Sequence, residues 1–416
     1  VTSATSPPGG PLPADGTVVV VGASLAGLRA TETLRAEGFD GRILLVGEEA
    51  HLPYDRPPLS KQVLAGTWPP ERTVLADRTK LDGYRAELVL GHRAIGLDPI
   101  ARTVELDDGS TLRADGVVVA TGAWPRRLPG VQGQPTGRVL RTLDDAMDLR
   151  AAITSGDPGC TVVVIGAGFI GSEVASTCSG LGCAVTVVEA LATPLEPALG
   201  PTVGAACAAL HVRHGVELRT GTGVAALRTV GEGATVVELA DGMVLPADVV
   251  VEGIGVVPAT EWLQGSGLEI GDGLHCDAAL FAADGVVAAG DLARWPHAGI
   301  GHPVRIEHWQ VAAEMGVAAA RSLMAGRAQA APFVPIPYFW SDQYGVRIQV
   351  LGHPAPDDDV EVVHGSLDSE RFVVVYGRDG RLTAALGLGR PRQLMALRPL
   401  LAAGATLAEA RALELG

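Results

Sequence analysis

Lysine is almost absent from this chain: Lys61 and Lys80 are the only two, and arginine supplies nearly all the positive charge. Basic residues number 32 against 47 acidic ones, a net charge of −15. That balance argues against a nucleic-acid partner, because phosphate binding needs a basic face. It still leaves room for a local basic patch. No run reaches the roughly 18 consecutive apolar residues of a membrane span. Residues 1–16, VTSATSPPGGPLPADG, have neither the basic nor the apolar block of a secretory signal and read as a disordered tail. Cysteine is scarce: Cys160, Cys178, Cys183, Cys207 and Cys276 show no metal-ligand pairing, so no metal site is expected. They read as free thiols in a reducing, cytoplasmic compartment.

Glycine, by contrast, is abundant at 54 of 416 residues, and the length suits about three domains. The chain is organised around residues 17–61. An apolar run, Val18 to Val21, reads as a short buried strand. The glycine turn Gly22-Ala-Ser-Leu-Ala-Gly27 follows, then a helix over Leu28 to Glu37 with Gly38 as its stop. A second apolar run, Ile43 to Val46, leads to Glu48, 26 residues after Gly22. This is the strand–turn–helix–strand unit that binds dinucleotides. Gly22 permits the tight turn, Gly27 lets helix and strand approach, the helix N-terminus faces a pyrophosphate, and Glu48 accepts from a ribose. Ser24 stands where the middle glycine is usual. The loop that follows, His51 to Lys61, holds three prolines and reads as stiff and extended, with Arg56 and Lys61 available to a cofactor or simply to solvent.

Further on, Val104 to Leu112 reads as a hairpin turning at Asp108-Gly109, and Val117–Ala120 as a strand ending in Thr121-Gly122. Arg126 and Arg127 are expected at the surface. The second dinucleotide unit is more complete: strand Cys160–Ile165, an intact G-x-G-x-x-G at Gly166, Gly168 and Gly171, a helix with Glu173 in its first turn, and strand Ala184–Val188. Glu189 ends that strand, and no arginine follows it before Arg213. An acid there accepts from a free 2′-hydroxyl and repels a 2′-phosphate, which favours NADH over NADPH. Cys178 and Cys183 flank the turn after this helix and read as ordinary thiols rather than a redox pair. Residues 216–258 read as a β-rich excursion. Val286–Ala293 is a short strand with Asp291 at its end, suited to a sugar or ribityl hydroxyl or to a helix N-cap. Arg305-Ile-Glu-His-Trp309 opens a helix running to Met324, where Trp309 packs on a cofactor or on the core. From Pro332 strand-like runs at 346–351, 360–364, 372–376 and 382–389, then a helix over 391–403 and a short last one, read as an α+β domain.

The motifs VGASLAGLRA, LPYDRPPLSK, VVVATGAWPRRLPG, LRTLDDA, VIGAGFIGSEVA, VVAAGDLAR, RIEHW and YFWSDQYG together resemble one family from about residue 17 onward. It is the FAD-dependent NADH:ferredoxin reductases that serve bacterial haem monooxygenases and Rieske-type dioxygenases. The resemblance implies an α/β fold: two Rossmann-like dinucleotide-binding domains of the glutathione-reductase-like flavoprotein kind and a C-terminal α+β domain. It divides the chain into an FAD domain (17–122 and 254–331), an NADH domain (123–253) and the C-terminal domain (332–416). It implies that Gly22, Ala26, Gly27 and Glu48 hold FAD, with Arg56 and Lys61 beside it. Ala120, Thr121, Gly122 and Arg141 contact FAD further along, as do Asp291, Glu307, His308 and Trp309. NADH falls to Gly166, Gly168, Ile170, Gly171 and Glu189, with Gly255, Trp340 and Glu307 on the nicotinamide side. Lys61 and Glu173 form a catalytic pair in which the lysine stabilises the reduced flavin and the glutamate places the lysine. The implied partner is an acidic 2Fe–2S ferredoxin, and the implied state a monomer or weak dimer. Docking on it is expected from Arg126, Arg127 and Arg305. The family's disulfide-reducing cousins carry a cysteine pair beside the flavin, whereas no cysteine lies before Cys160. A rubredoxin reductase, an NADH oxidase or peroxide reductase, and an NADH-sensing flavoprotein remain as alternatives.

Overall fold

Four consecutive valines, Val18–Val21, leave no polar face for solvent, and they form β1 (Thr17–Val21), buried from Val18 onward. A near-continuous apolar run is what a parallel strand covered on both faces requires. In the computed structural model, which describes residues 10–129, 137–155, 159–230 and 234–416, the chain forms two compact units. Unit 1 comprises Val1–Asp55, described from Gly10, with Thr73–Trp124 and Val257–Pro337. Unit 2 comprises Arg56–Arg72, Pro125–Val256 and Tyr338–Gly416. Residues 56–72 thus group with the second dinucleotide unit rather than with the first, and so does the C-terminal sheet.

In unit 1, β1 pairs in parallel with β2 (Arg42–Gly47; Val19 opposite Leu44) and β2 with β3 (Ala86–Leu90). On its other side β1 pairs with β4 (Gly116–Val119; Val19 opposite Val117), followed by Val286–Ala288 and an antiparallel edge, Phe281–Ala283. Helix α1 (Leu25–Ala36) connects β1 to β2 and starts three residues earlier than expected, directly after Ser24. It stops as expected: Gly38 takes φ +89°, its N–H bonds Arg35 O, and the Phe39 N–H bonds Leu34 O. The Trp309–Ala325 helix lies on α1 so closely that a Cβ at Gly316 would stand 2.3 Å from the Ala26 carbonyl oxygen. That helix begins at Trp309, not Arg305. Arg305 and Glu307 pair two residues apart, which fits extended backbone and is incompatible with a helical turn. The tail expected over residues 1–16 lies outside the described residues as far as residue 9. Beyond it the chain is ordered, because Leu12 packs on the core of this unit and the Thr17 N–H bonds Asp115.

In unit 2 the same construction recurs. Strands β5 (Thr161–Ile165), β6 (Ala184–Val188), β7 (Glu217–Arg219) and β8 (Val249–Glu252) make a parallel sheet in the order β7-β6-β5-β8. Helix α2 (Phe169–Gly180) joins β5 to β6, and its end repeats the α1 stop at Gly182, φ +87°. A three-stranded antiparallel sheet follows over residues 224–247. The C-terminal part is a five-stranded antiparallel sheet with Tyr338–Gln343 at one edge, a strand not anticipated from sequence. Helix α3 (Glu196–Arg213), broken at Gly200 where φ is +74°, covers it through Leu199, Val203 and Cys207, packed on Ile348, Val350, Phe372 and Tyr376. The helix expected over 391–403 is two helices, Pro391–Ala396 and Arg398–Ala402. Pro399 has no N–H to bond the carbonyl of residue 395, so the ladder breaks there. No helix among the described residues is long and apolar enough to cross a membrane.

Candidate functional site

The two glycine turns are built alike to within a few tenths of an ångström. The Gly22 N–H bonds Val46 O at 2.8 Å, and the Gly166 N–H bonds Val188 O at 2.7 Å. Both first glycines take positive φ, +121° and +95°. A Cβ at Gly22 would lie 2.1 Å from the Ala120 carbonyl oxygen, and one at Gly166 would lie 2.5 Å from that of Gly253. The last glycines are as tightly held: a Cβ at Gly27 would meet Gly22 O at 1.9 Å, and one at Gly171 would meet Gly166 O at 2.1 Å. Ser24 and Gly168 are the N-caps of α1 and α2 in extended backbone, and neither supplies a side-chain cap. The first-turn N–H groups are therefore left for an anion, together with the helix dipole. Each turn fits a dinucleotide pyrophosphate on this count, and Ser24 does not spoil the first, since its side chain stays off the N–H groups.

Around the first turn, Ala26 is buried with its Cβ 3.2 Å from where a Gly290 Cβ would stand. Glu48 follows β2 at the surface, and partial burial pushes its carboxyl pKa up. Thr121 Oγ1 donates to Ala259 O at 2.8 Å, and Gly122, φ +72°, receives the Ala259 N–H. Asp291 sits in a turn with no helix after it, so the N-cap reading does not apply. Its carbonyl accepts from Arg305 Nη1 at 3.1 Å. Burial works against the Arg305 charge, but Glu307 and Asp272 outweigh it and hold the guanidinium above its ordinary pKa. Arg305 is thereby engaged within its own unit. His308 stands at the N-cap position of the Trp309–Ala325 helix in extended backbone without a side-chain cap, and Trp309 Nε1 donates to Asp55 Oδ1 at 2.6 Å.

Unit 2 brings Lys61 and Glu173 together. Residues 59–63 are not the extended loop expected: prolines 57 and 58 lead into a π-helical turn, Leu59–Val63, in which the Val63 N–H reaches Pro58 O at 2.9 Å. Thr177 of α2 donates to the Ser60 carbonyl at 2.7 Å and seats the turn. Lys61 Nζ then meets Glu173 Oε2 at 2.7 Å, with side-chain exposures of 13% and 4%. Ser60 Oγ donates to the same oxygen at 2.5 Å, while Ser341 Oγ (2.8 Å) and the Asp342 N–H (3.2 Å) donate to Oε1. Glu173 lies in the second turn of α2, not the first, because the helix opens at Phe169. Lysine, two serine hydroxyls and a backbone N–H, rather than the helix dipole, surround its carboxylate. Ser60 and Ser341 escaped the sequence reading, since only the fold brings the turn and the C-terminal strand to α2.

The remaining residues assigned from sequence are more scattered. Arg56 Nη1 donates to Arg141 O at 2.6 Å, and the Arg141 N–H bonds Asp145 at the start of the Leu143–Thr154 helix. Ile170 is exposed on the first turn of α2. Glu189 accepts from the Ala167 N–H (2.7 Å) and the Leu191 N–H (2.9 Å), which aims it back at the glycine turn. Arg219 pairs with Val188 in the sheet and its carbonyl receives the Glu189 N–H at 2.7 Å, while its side chain bonds Glu217. Gly255 takes φ +95° and its carbonyl receives the Arg126 N–H. Trp340 stacks on Tyr338 with ring centroids 6.2 Å apart. Arg126 and Arg127 are exposed, and all five cysteines are free.

Residues 16–316 match the family model described as pyridine nucleotide-disulphide oxidoreductase, and residues 338–415 match that described as reductase C-terminal. The chain is 39% identical to the ferredoxin–NAD(+) reductase component of an anthranilate 1,2-dioxygenase system from Burkholderia cepacia, over 93% of this chain and 94% of the relative. It is 37% identical to rhodocoxin reductase from Rhodococcus erythropolis, over 92% and 89%. Among solved structures it superposes with a TM-score of 0.88 on a chain of the covalent putidaredoxin reductase–putidaredoxin complex, at 33% identity and 94% coverage of both chains.

Proposed function

Since the chain belongs to the pyridine nucleotide-disulphide oxidoreductase family and carries a reductase C-terminal domain, we propose that it is an NADH-dependent flavoprotein reductase. It passes electrons from NADH through FAD to a 2Fe–2S ferredoxin that feeds a bacterial monooxygenase or dioxygenase. The observation that supports this reading is the doubled glycine cradle: one chain holds two glycine turns of the same build, one in each unit, each suited to a pyrophosphate. Relatives of the same length that act between ferredoxin and NAD(+) supply the acceptor. FAD, when bound, accepts a hydride and releases its two electrons singly.

The chain's own residues bind, orient and supply charge. Gly22, Ala26 and Gly27 let a pyrophosphate reach the start of α1, and Gly166, Gly168 and Gly171 do so at α2. Glu48 and Glu189 accept from the two riboses. Lys61 provides a fixed positive charge for the hydride step, and Glu173 holds it in place. No cysteine precedes Cys160, so a disulfide of the kind in the family's name has no counterpart near the first cradle, and electrons leave to an external carrier. The exposed Arg126 and Arg127 offer an acidic carrier a basic spot on an otherwise acidic chain. Turnover with ferredoxin then falls as salt rises. Five free thiols suit a reducing cytoplasm, where the chain works as a monomer or weak dimer.

NADH-driven cytochrome c reduction, with and without an added 2Fe–2S ferredoxin, tests this. Strong stimulation by ferredoxin is the expected result. Bleaching of the flavin by NADH with no stimulation by any of several ferredoxins would overturn the acceptor assignment in favour of an oxidase or a sensor.

A further inference from the structure

The donors that converge on Glu173 come from two sides, and one side belongs to the C-terminal sheet. Ser341 and Gln343 are both fully buried on the edge strand Tyr338–Gln343. Gln343 Nε2 donates to Ser341 Oγ at 3.1 Å, and Ser341 Oγ donates to Glu173 Oε1 at 2.8 Å. A hydroxyl has a single proton. With Gln343 occupying its acceptor side, that proton is aimed at the carboxylate. The two oxygens of Glu173 are thus held separately: Oε1 by Ser341 and the Asp342 N–H, and Oε2 by Ser60 and Lys61. A carboxylate gripped at both oxygens cannot rotate about its terminal torsion, so the lysine meets it in one geometry.

We propose that Ser341, oriented by Gln343, is a positioning residue for hydride transfer: it fixes the Glu173 carboxylate from the C-terminal sheet and so holds the Lys61 ammonium where the reaction needs it. This rests on the reading of Lys61 as the cation of the hydride step. It gives the C-terminal sheet a part in the chemistry. Loss of the Ser341 proton leaves Oε1 with one long hydrogen bond, and the carboxylate and its lysine gain alternative rotamers. The pyrophosphate turn at Gly166–Gly171 is untouched by the change, so the effect falls on rate and not on NADH affinity.

Single-turnover flavin reduction by NADH in the holoenzyme, followed by stopped flow, tests the inference. Ser341→Ala should slow reduction about tenfold with the NADH dissociation constant unchanged, and Ser341→Thr should restore most of the rate, because it returns the hydroxyl. Ser341→Cys, nearly isosteric with a weak donor, carries the same test if the alanine variant does not fold. In a Lys61→Ala background, Ser341→Ala should cost nothing further, since both act through one pair. A rate within twofold of the parent for Ser341→Ala or Ser341→Cys, while Lys61→Ala is slow, overturns this inference alone. A full additional loss in the Lys61→Ala background overturns it as well, by showing that Ser341 acts elsewhere. An unchanged rate in Lys61→Ala overturns the underlying reading of the lysine.

Discussion

Two alanine substitutions, Gly27→Ala and Gly171→Ala, should separate the two dinucleotide sites cleanly. Each glycine closes its helix against the preceding turn, and each added Cβ would stand 1.9 Å or 2.1 Å from a backbone carbonyl oxygen. Real Cβ atoms stay at least 3.0 Å away, so each contact falls short by roughly 1 Å, and the obstacle is backbone that cannot rotate aside. The helix start must withdraw by about that distance, and its N–H groups withdraw with it. A displacement near 1 Å at a binding site costs on the order of 100-fold in rate or affinity. Gly171→Ala should therefore purify yellow, with full flavin content, and show KM for NADH raised on the order of 100-fold. Gly27→Ala should lose flavin on gel filtration while an NADH analogue still binds. Absorbance at the flavin band, and NADH titration by fluorescence, read the two effects. The reasoning fails if Gly171→Ala keeps its KM for NADH within threefold, or if both variants lose flavin equally.

Other consequences are open to test. His211 is fully buried, bonded to Tyr344 and Ser172, and burial, with His214 nearby, pushes its pKa down from about 6.5 to about 4. The unfolded chain takes up this proton first, so the contribution is complete above pH 6.5 and is lost as pH falls from 6.5 toward 4. By pH 5 the loss is about 2 kcal/mol, and urea denaturation of His211→Gln should lack that part of the pH dependence; an equal acid loss in both proteins would refute it. Burial pushes the thiols of Cys160 to about 11 and of Cys207 to about 12, so iodoacetamide at pH 8 should leave both unlabelled until the protein is denatured. Fast labelling of either in the native protein would contradict their placement. Glu189→Ala should raise KM for NADH about tenfold and narrow the preference over NADPH, because the carboxylate that accepts from a 2′-hydroxyl and repels a 2′-phosphate is gone. An unchanged ratio of the two KM values would remove Glu189 from the ribose.

Local chemistry was legible in the residues themselves. The valine runs, the glycine spacings at 22–27 and 166–171, the stop at Gly38 and the acids after β2 and β6 could all be read in order. Each depends on neighbours within about thirty residues, where period and backbone freedom suffice. One helix start went astray where a side chain far along the chain intervened. Arg305, tied to Asp272, keeps residues 305–308 out of the helix. Pairings across the fold were invisible for the same reason: Arg219 stands beside Glu189 only because β7 lies next to β6. The Lys61–Glu173 pair came from family resemblance, since 112 residues separate the two in sequence. What the chain alone determined was two dinucleotide turns, because their geometry is written into which residues lack a Cβ. Which charges meet at the buried carboxylate of Glu173 was decided by tertiary structure, because a buried anion takes its donors from whatever elements pack against it, and here these come from residues 60 and 61 and from residues 341 and 342.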